Sequence, residues 1–205
     1  MIKAITFDMD GVLIDAREWH FEALNEALEL FGHTISRARH LDEFDGLPTK
    51  KKLEKLTELD QFPEHLHLTV NNIKQERTSR IIHSKCYPMR NHLALLSYLK
   101  SQGYPLGLAT NSIRKTAIQM LNCAGIQHYF DSILTNEDIH FSKPHPEIYL
   151  KSAEVLGVEP NEMLVFEDNP NGIRAAEDAG CLVLKVSDPT DVTLERYLDF
   201  VKVKN

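Results

Sequence analysis

The chain has 205 residues, 42% hydrophobic and 26% charged, enough to bury a full core in one domain of ordinary size with room for a smaller insert. Its 30 acidic and 23 basic residues leave a formal charge of −7, a field that repels nucleic acid and offers no polybasic stripe to a membrane. No stretch reaches the roughly 20 apolar residues that cross a bilayer, and the opening run MIKAITFDMD carries two carboxylates, unlike the apolar heart of a signal peptide. Cys86, Cys123 and Cys181 are odd in number and lack ligand-pair spacing, so neither a disulfide framework nor a zinc site is indicated and a reduced, cytoplasmic setting is expected.

Short apolar runs that end in polar loops recur along the chain: Ile2 to Phe7, Leu106 to Ala109, Ser132 to Leu134, Met163 to Phe166 and Leu182 to Val186. Such runs are expected of strands buried on both faces, as in a parallel sheet. Between them lie helical patterns, each closed by glycine: Leu93, Leu96, Leu99 before Gly103; Ile118, Leu121 before Gly125; Ile148, Leu150, Ala153, Leu156 before Gly157. Strand alternating with helix predicts an α/β fold, a Rossmann-like parallel sheet with helices on both faces and ligands at the carboxyl ends of its strands. Residues 16–85 break the rhythm, with helical spacing at Phe21, Leu24, Ala27, Leu28 and Phe31, many charges and no strand. The expected division is a core of residues 1–15 and 86–205 with a helical insert at 16–85 after the first strand.

At the end of the first strand, Phe7-Asp8-Met9-Asp10-Gly11 sets two carboxylates on one face of the strand, and Gly11 lets the chain turn so that both converge on one small ligand. Like charges so close require a cation or a shared proton. Further on, Thr110-Asn111-Ser112 ends a strand with hydroxyl and backbone donors, a pattern that also suits a helix N-cap. Lys143-Pro144 follows 33 residues after Thr110, and the pair Glu167-Asp168, with Asp168 another 25 after Lys143, stands at the end of a buried strand where a hard cation could be held.

Asp8-x-Asp10-Gly11-Val12 resembles the first motif of the haloacid dehalogenase (HAD) superfamily, and the three later segments resemble its other motifs in the same order. The resemblance implies an Mg²⁺-dependent phosphotransferase. Asp8 would be its nucleophile, Asp10 its acid/base, Thr110, Asn111 and Lys143 its phosphate ligands, and Asp8, Asp10 (by its backbone carbonyl) and Asp168 its metal ligands, with Glu167 behind them. An acid at Asp10 suits phosphoryl transfer rather than dehalogenation.

Over nearly the whole chain the order of elements is similar to the β-phosphoglucomutase-like subfamily, whose small helical cap corresponds to residues 16–85. There the resemblance gives supporting or substrate-facing places to His20, Gly46, Lys50 and Lys74. Mutases of that subfamily carry an Arg in the cap loop where this chain has Thr49. A lysine on a helix is ordinarily solvated, and that is the expectation for Lys74 and for the run Lys50-Lys51-Lys52. The reading is a monomeric phosphatase of a small phosphorylated metabolite, a sugar or polyol phosphate. A hexose-phosphate mutase, a phosphonate-cleaving enzyme using a cap lysine, and a non-catalytic phosphate-sensing protein are the alternatives.

Overall fold

The computed structural model describes residues 1–204 and divides into two compact units, one of Met1–Asp15 with Cys86–Asn205 and one of Ala16–Lys85. Among the described residues no helix is long and apolar enough to cross a membrane.

Among the described residues the larger unit holds five strands, β1 (Ala4–Phe7), β2 (Leu106–Ala109), β3 (Ser132–Leu134), β4 (Met163–Glu167) and β5 (Leu182–Lys185), in the spatial order β3-β2-β1-β4-β5. Every pairing is parallel, with Phe7 of β1 opposite Leu108 of β2 and Phe166 of β4. The fold is the Rossmann-like α/β sheet expected from the alternation of apolar runs and helical patterns. All of β1, β2 and β4 is buried, which explains why these strands are mostly apolar rather than alternating, with Thr6 and Glu167 the polar exceptions. The pleat sends Ala4 and Thr6 of β1 to one face, where Thr6 Oγ1 lies 2.8 Å from Ser152 Oγ. Phe7 lies on the opposite face, stacked on Phe166 with ring centroids 4.6 Å apart and edge-on to Phe130. One hydrophobic cluster joins Ala4, Met163 and Val165 of the strands to Ile148, Tyr149 and Ala153 and to Ala175 and Ala176 of two covering helices.

Those two helices are best seen within the whole series, named in chain order: α1 (Arg17–Glu29), α2 (Arg37–Arg39), α3 (Thr49–Asp60) and α4 (His67–Lys85) in the smaller unit, then α5 (Arg90–Ser101), α6 (Arg114–Cys123), α7 (Glu147–Leu156), α8 (Pro170–Asp178) and α9 (Leu194–Lys204) in the larger. Helix α7 stops at Gly157, whose φ of 69° is the left-handed turn that lets its N–H reach the carbonyls of Ala153 and Glu154. The face α7 buries is Ile148, Tyr149, Ser152 and Ala153, so Leu150, counted in its apolar series, stands exposed instead. Helix α8 begins as sequence rules favour, with the Asn169 side chain accepting from the Asn171 N–H and Pro170 in its first turn.

The smaller unit has its own core of Leu24, Ala27, Leu28, Phe44, Leu53, Leu56, Phe62 and Val70. The chain passes from α2 through a π turn at His40–Phe44, and His40 is buried there, edge-on to Phe21 at 5.1 Å and 3.2 Å from Lys52 Nζ through Nε2. Burial, then the positive charges of Lys52, Arg37 and His20, push its pKa down from 6.5 to about 3. A folded-state pKa below the unfolded one leaves stability intact above pH 6.5 and removes it as pH falls toward 3, because only the unfolded chain takes up the proton readily. On that arithmetic the unfolding free energy falls by about 2–3 kcal/mol between pH 7 and pH 4.5 through His40 alone. Urea midpoints at the two pH values, compared with those of His40→Gln, measure it; an equal loss in the variant would count against the assignment.

Candidate active site

Three strands of the larger unit deliver their carboxyl ends to one place. β1 delivers Asp8, whose N–H donates to the Phe166 carbonyl at 3.0 Å and so extends the β1–β4 ladder by one residue. β2 delivers Thr110, whose N–H donates to the Leu134 carbonyl at 3.0 Å and whose Oγ1 accepts from the Ser112 N–H at 3.0 Å. β4 ends on Glu167, with Asp168 immediately after it.

Lys143 arrives from the loop before α7 and ties these ends together. Its ammonium donates to Asp8 Oδ1 at 2.6 Å, to Glu167 Oε1 at 2.7 Å and to the Ala109 carbonyl at 3.0 Å, which uses all three of its N–H donors. Its backbone N–H donates to Asn111 Oδ1 at 3.3 Å. Lys143 is 4% exposed. Burial alone would lower its pKa, but the charges and hydrogen bonds of Asp8 and Glu167 outweigh burial and raise it, so the ammonium stays charged. For Asp8 the balance runs the other way. Burial raises its pKa well above the usual carboxylate value, Lys143 opposes that, and the negative charges of Glu167, Asp168 and Asp10 add to it. More negative charge gathers at this point than one lysine neutralises, the condition under which a divalent cation is favoured.

Carboxylate oxygens of Asp8, Glu167 and Asp168 lie within 4.8 Å of one another, and this all-oxygen donor set suits a hard cation. Glu167 is nonetheless committed elsewhere. Its Oε1 accepts from Lys143 and from the Tyr149 phenol at 2.7 Å, and its Oε2 from the backbone N–H groups of Asp168 at 3.1 Å and Asn169 at 3.2 Å. Those four donors match the four lone-pair sites of a carboxylate. Asp8 and Asp168 are therefore the better side-chain ligands. A Cβ at Gly11 would overlap the Asp168 carboxylate, and one at Gly172 would overlap Glu167, so glycine at both positions is what lets the acidic side chains sit where they do. Gly11 also has φ of 94°, a conformation that an L side chain resists.

Asp10 sits one turn beyond Asp8, where Gly11 N–H donates to the Ile14 carbonyl at 2.8 Å and Asp10 Oδ2 accepts from the Ser112 hydroxyl at 2.8 Å. The larger unit thus joins Asp8, Asn111, Lys143, Glu167 and Asp168 by hydrogen bonds and Asp10 to Thr110 through Ser112, and the charge of Asp10 acts on Asp8. Neither Ser112 nor Tyr149 shows its part in the sequence: Ser112 reads as the end of a strand and Tyr149 as one more core residue of α7.

The remaining candidates lie in the smaller unit. His20 Nδ1 is 3.3 Å from Lys74 Nζ, Gly46 has φ of 70° between the π turn and α3, and Lys50 is exposed in the first turn of α3, 4.0 Å from Glu54. Two expectations need correction: Lys74 and Lys52 are each 6% exposed rather than solvated. Each ammonium instead meets an imidazole, of His20 and His40 respectively, since a long aliphatic stem can be buried in a helical core when its head finds a polar partner.

Residues 5–186 match the family model of haloacid dehalogenase-like hydrolases. The chain belongs to that family. It is 31% identical over 185 residues to the phosphorylated carbohydrates phosphatase of Thermotoga maritima, covering 87% of this chain and 82% of that one. It is 30% identical over 178 residues to the fructose-1-phosphate phosphatase of Escherichia coli, covering 86% and 92%. Among solved structures it is similar to a β-phosphoglucomutase from Clostridium difficile, with a TM-score of 0.84 at 26% identity over 98% of this chain and all of that one.

Proposed function

We propose that this protein is an Mg²⁺-dependent phosphatase of small phosphate monoesters, sugar or polyol phosphates foremost, that works through an aspartyl-phosphate on Asp8. The observation that carries the reading is the bridge from Lys143 Nζ to both Asp8 Oδ1 and Glu167 Oε1 at the carboxyl edge of the sheet, with Asp168 beside it and the Ala109 carbonyl, just before Thr110, taking the third N–H. A buried carboxylate with a fixed cation at one oxygen is built to act as a nucleophile while its charge is held in place. The names of the phosphatase relatives support the substrate class.

In the first half-reaction a carboxylate oxygen of Asp8 attacks phosphorus in line, the bond from phosphorus to the leaving oxygen breaks, and Asp10 gives that oxygen its proton. In the second, water attacks the aspartyl-phosphate, Asp10 takes the proton of the water, and phosphate leaves as the Asp8 carboxylate is restored. Lys143 and the donors of Thr110 and Asn111 stabilise charge on the phosphoryl oxygens. Asp8, Asp168 and the Asp10 backbone carbonyl would hold Mg²⁺, which when bound neutralises charge on the transferring group. The unit at residues 16–85 acts in this reading as the cap that selects the leaving group, through Gly46, Lys50 and the His20–Lys74 pair. The protein acts as a monomer.

Phosphate release from a panel of sugar, polyol and nucleoside phosphates is expected for a few sugar phosphates, to vanish with EDTA and to return with Mg²⁺. Release that persists in EDTA would sink the metal assignment. A mutase reading draws on the β-phosphoglucomutase similarity. Conversion of glucose 1-phosphate in the presence of a bisphosphate primer would favour it over hydrolysis.

A further inference from the structure

From the contacts of Tyr149 we infer that its phenol is a positioning residue for Lys143, acting through Glu167; this rests on the phosphatase reading above. Tyr149 is fully buried on α7, yet its O–H is placed on Glu167 Oε1, the same oxygen that receives the Lys143 ammonium. Its ring lies under that ammonium, with Nζ 4.8 Å from the centroid. Burial first, then the charges of Glu167 and Asp8, hold the phenol pKa well above 10, so it remains a donor.

Lys143 is shared between two carboxylates at nearly equal distances, 2.6 Å to Asp8 and 2.7 Å to Glu167. Glu167 is the more buried of the two, at 1% against 7%, and a buried charge draws the lysine more strongly the less it is satisfied by other donors. The Tyr149 O–H and the two backbone N–H groups on Oε2 supply those donors. They spread the charge of Glu167 and leave the field of Lys143 directed at Asp8, where phosphoryl charge develops. Without the phenol, Oε1 would have only the ammonium, and Lys143 would be pulled away from Asp8.

The conservative variant Tyr149→Phe keeps the ring and its packing and removes only the donor. Its kcat, per molecule shown folded by near-ultraviolet circular dichroism, is expected to fall roughly tenfold with KM changed less than twofold. This is the pattern of an interaction used only in the transition state. In a Glu167→Gln background the same substitution should have little further effect, because the charge it tempers is gone. That second comparison also answers the question if Tyr149→Phe lowers thermal stability. Wild-type kcat in Tyr149→Phe, or an equal fall with and without Glu167, would overturn the inference alone. Failure of the wild type to release phosphate from any ester would overturn the phosphatase reading with it.

Discussion

Asp8→Asn is expected to abolish turnover, with a loss of at least about 10⁴-fold, the scale seen when a covalent nucleophile or its partner is removed elsewhere. An amide cannot form the acyl-phosphate, and no other carboxylate takes its place. Glu167 is saturated by four donors, and the Asp10 side chain is held by Ser112 in the following turn. The fold should survive. The amide is nearly the same size as the carboxylate and its oxygen can still accept from Lys143, which keeps Glu167 as its charge partner. Stability is expected to rise, because the charge of Asp8 is opposed by burial and by three neighbouring carboxylates. Phosphate release and thermal melting of variant and wild type give both numbers. Turnover within tenfold of wild type would remove Asp8 as the nucleophile.

The sheet was legible because its central strands are buried on both faces, which forces largely apolar runs such as Leu106 to Ala109 and Met163 to Phe166. Once the runs are strands, Asp8, Thr110 and Glu167-Asp168 must fall together, since parallel strands put all their carboxyl ends on one edge. Contacts made across that edge by side chains from elsewhere were not legible. Tyr149 shares helical spacing with Ser152 and Ala153, so its apolar ring hides the one polar atom that matters. Ser112 donates to Asp10 across 102 residues of sequence, and local pattern carries no trace of it. The burial of Lys52 and Lys74 is hidden for a related reason: on a helix a lysine defaults to solvent, and only the fold reveals that His40 and His20 lie beside them. The π turn at His40–Phe44 has no sequence pattern that distinguishes it from an ordinary helical turn.

Replacing Lys143 with Met, a side chain of similar length, should cost about 3–5 kcal/mol at pH 7, because removing one partner leaves buried charge uncompensated. Asp8 and Glu167 would then face each other with only neutral donors, and the ring of Tyr149 would lose the cation above it. The pH dependence gives the cause away. With the ammonium gone, the already raised pKa of Asp8 rises further, and a carboxylate whose folded pKa exceeds its unfolded value destabilises the fold as pH rises through it. The deficit of Lys143→Met relative to wild type should therefore shrink when urea unfolding is measured at pH 5 instead of pH 7. A deficit caused by lost packing would be the same at both. Lys143→Arg is not expected to rescue turnover, since a planar guanidinium cannot reproduce three donors arranged around one nitrogen toward Asp8, Glu167 and the Ala109 carbonyl. Equal stability of Lys143→Met and wild type at pH 7 would mean that the two carboxylates share a proton, and that Lys143 is not what holds them together.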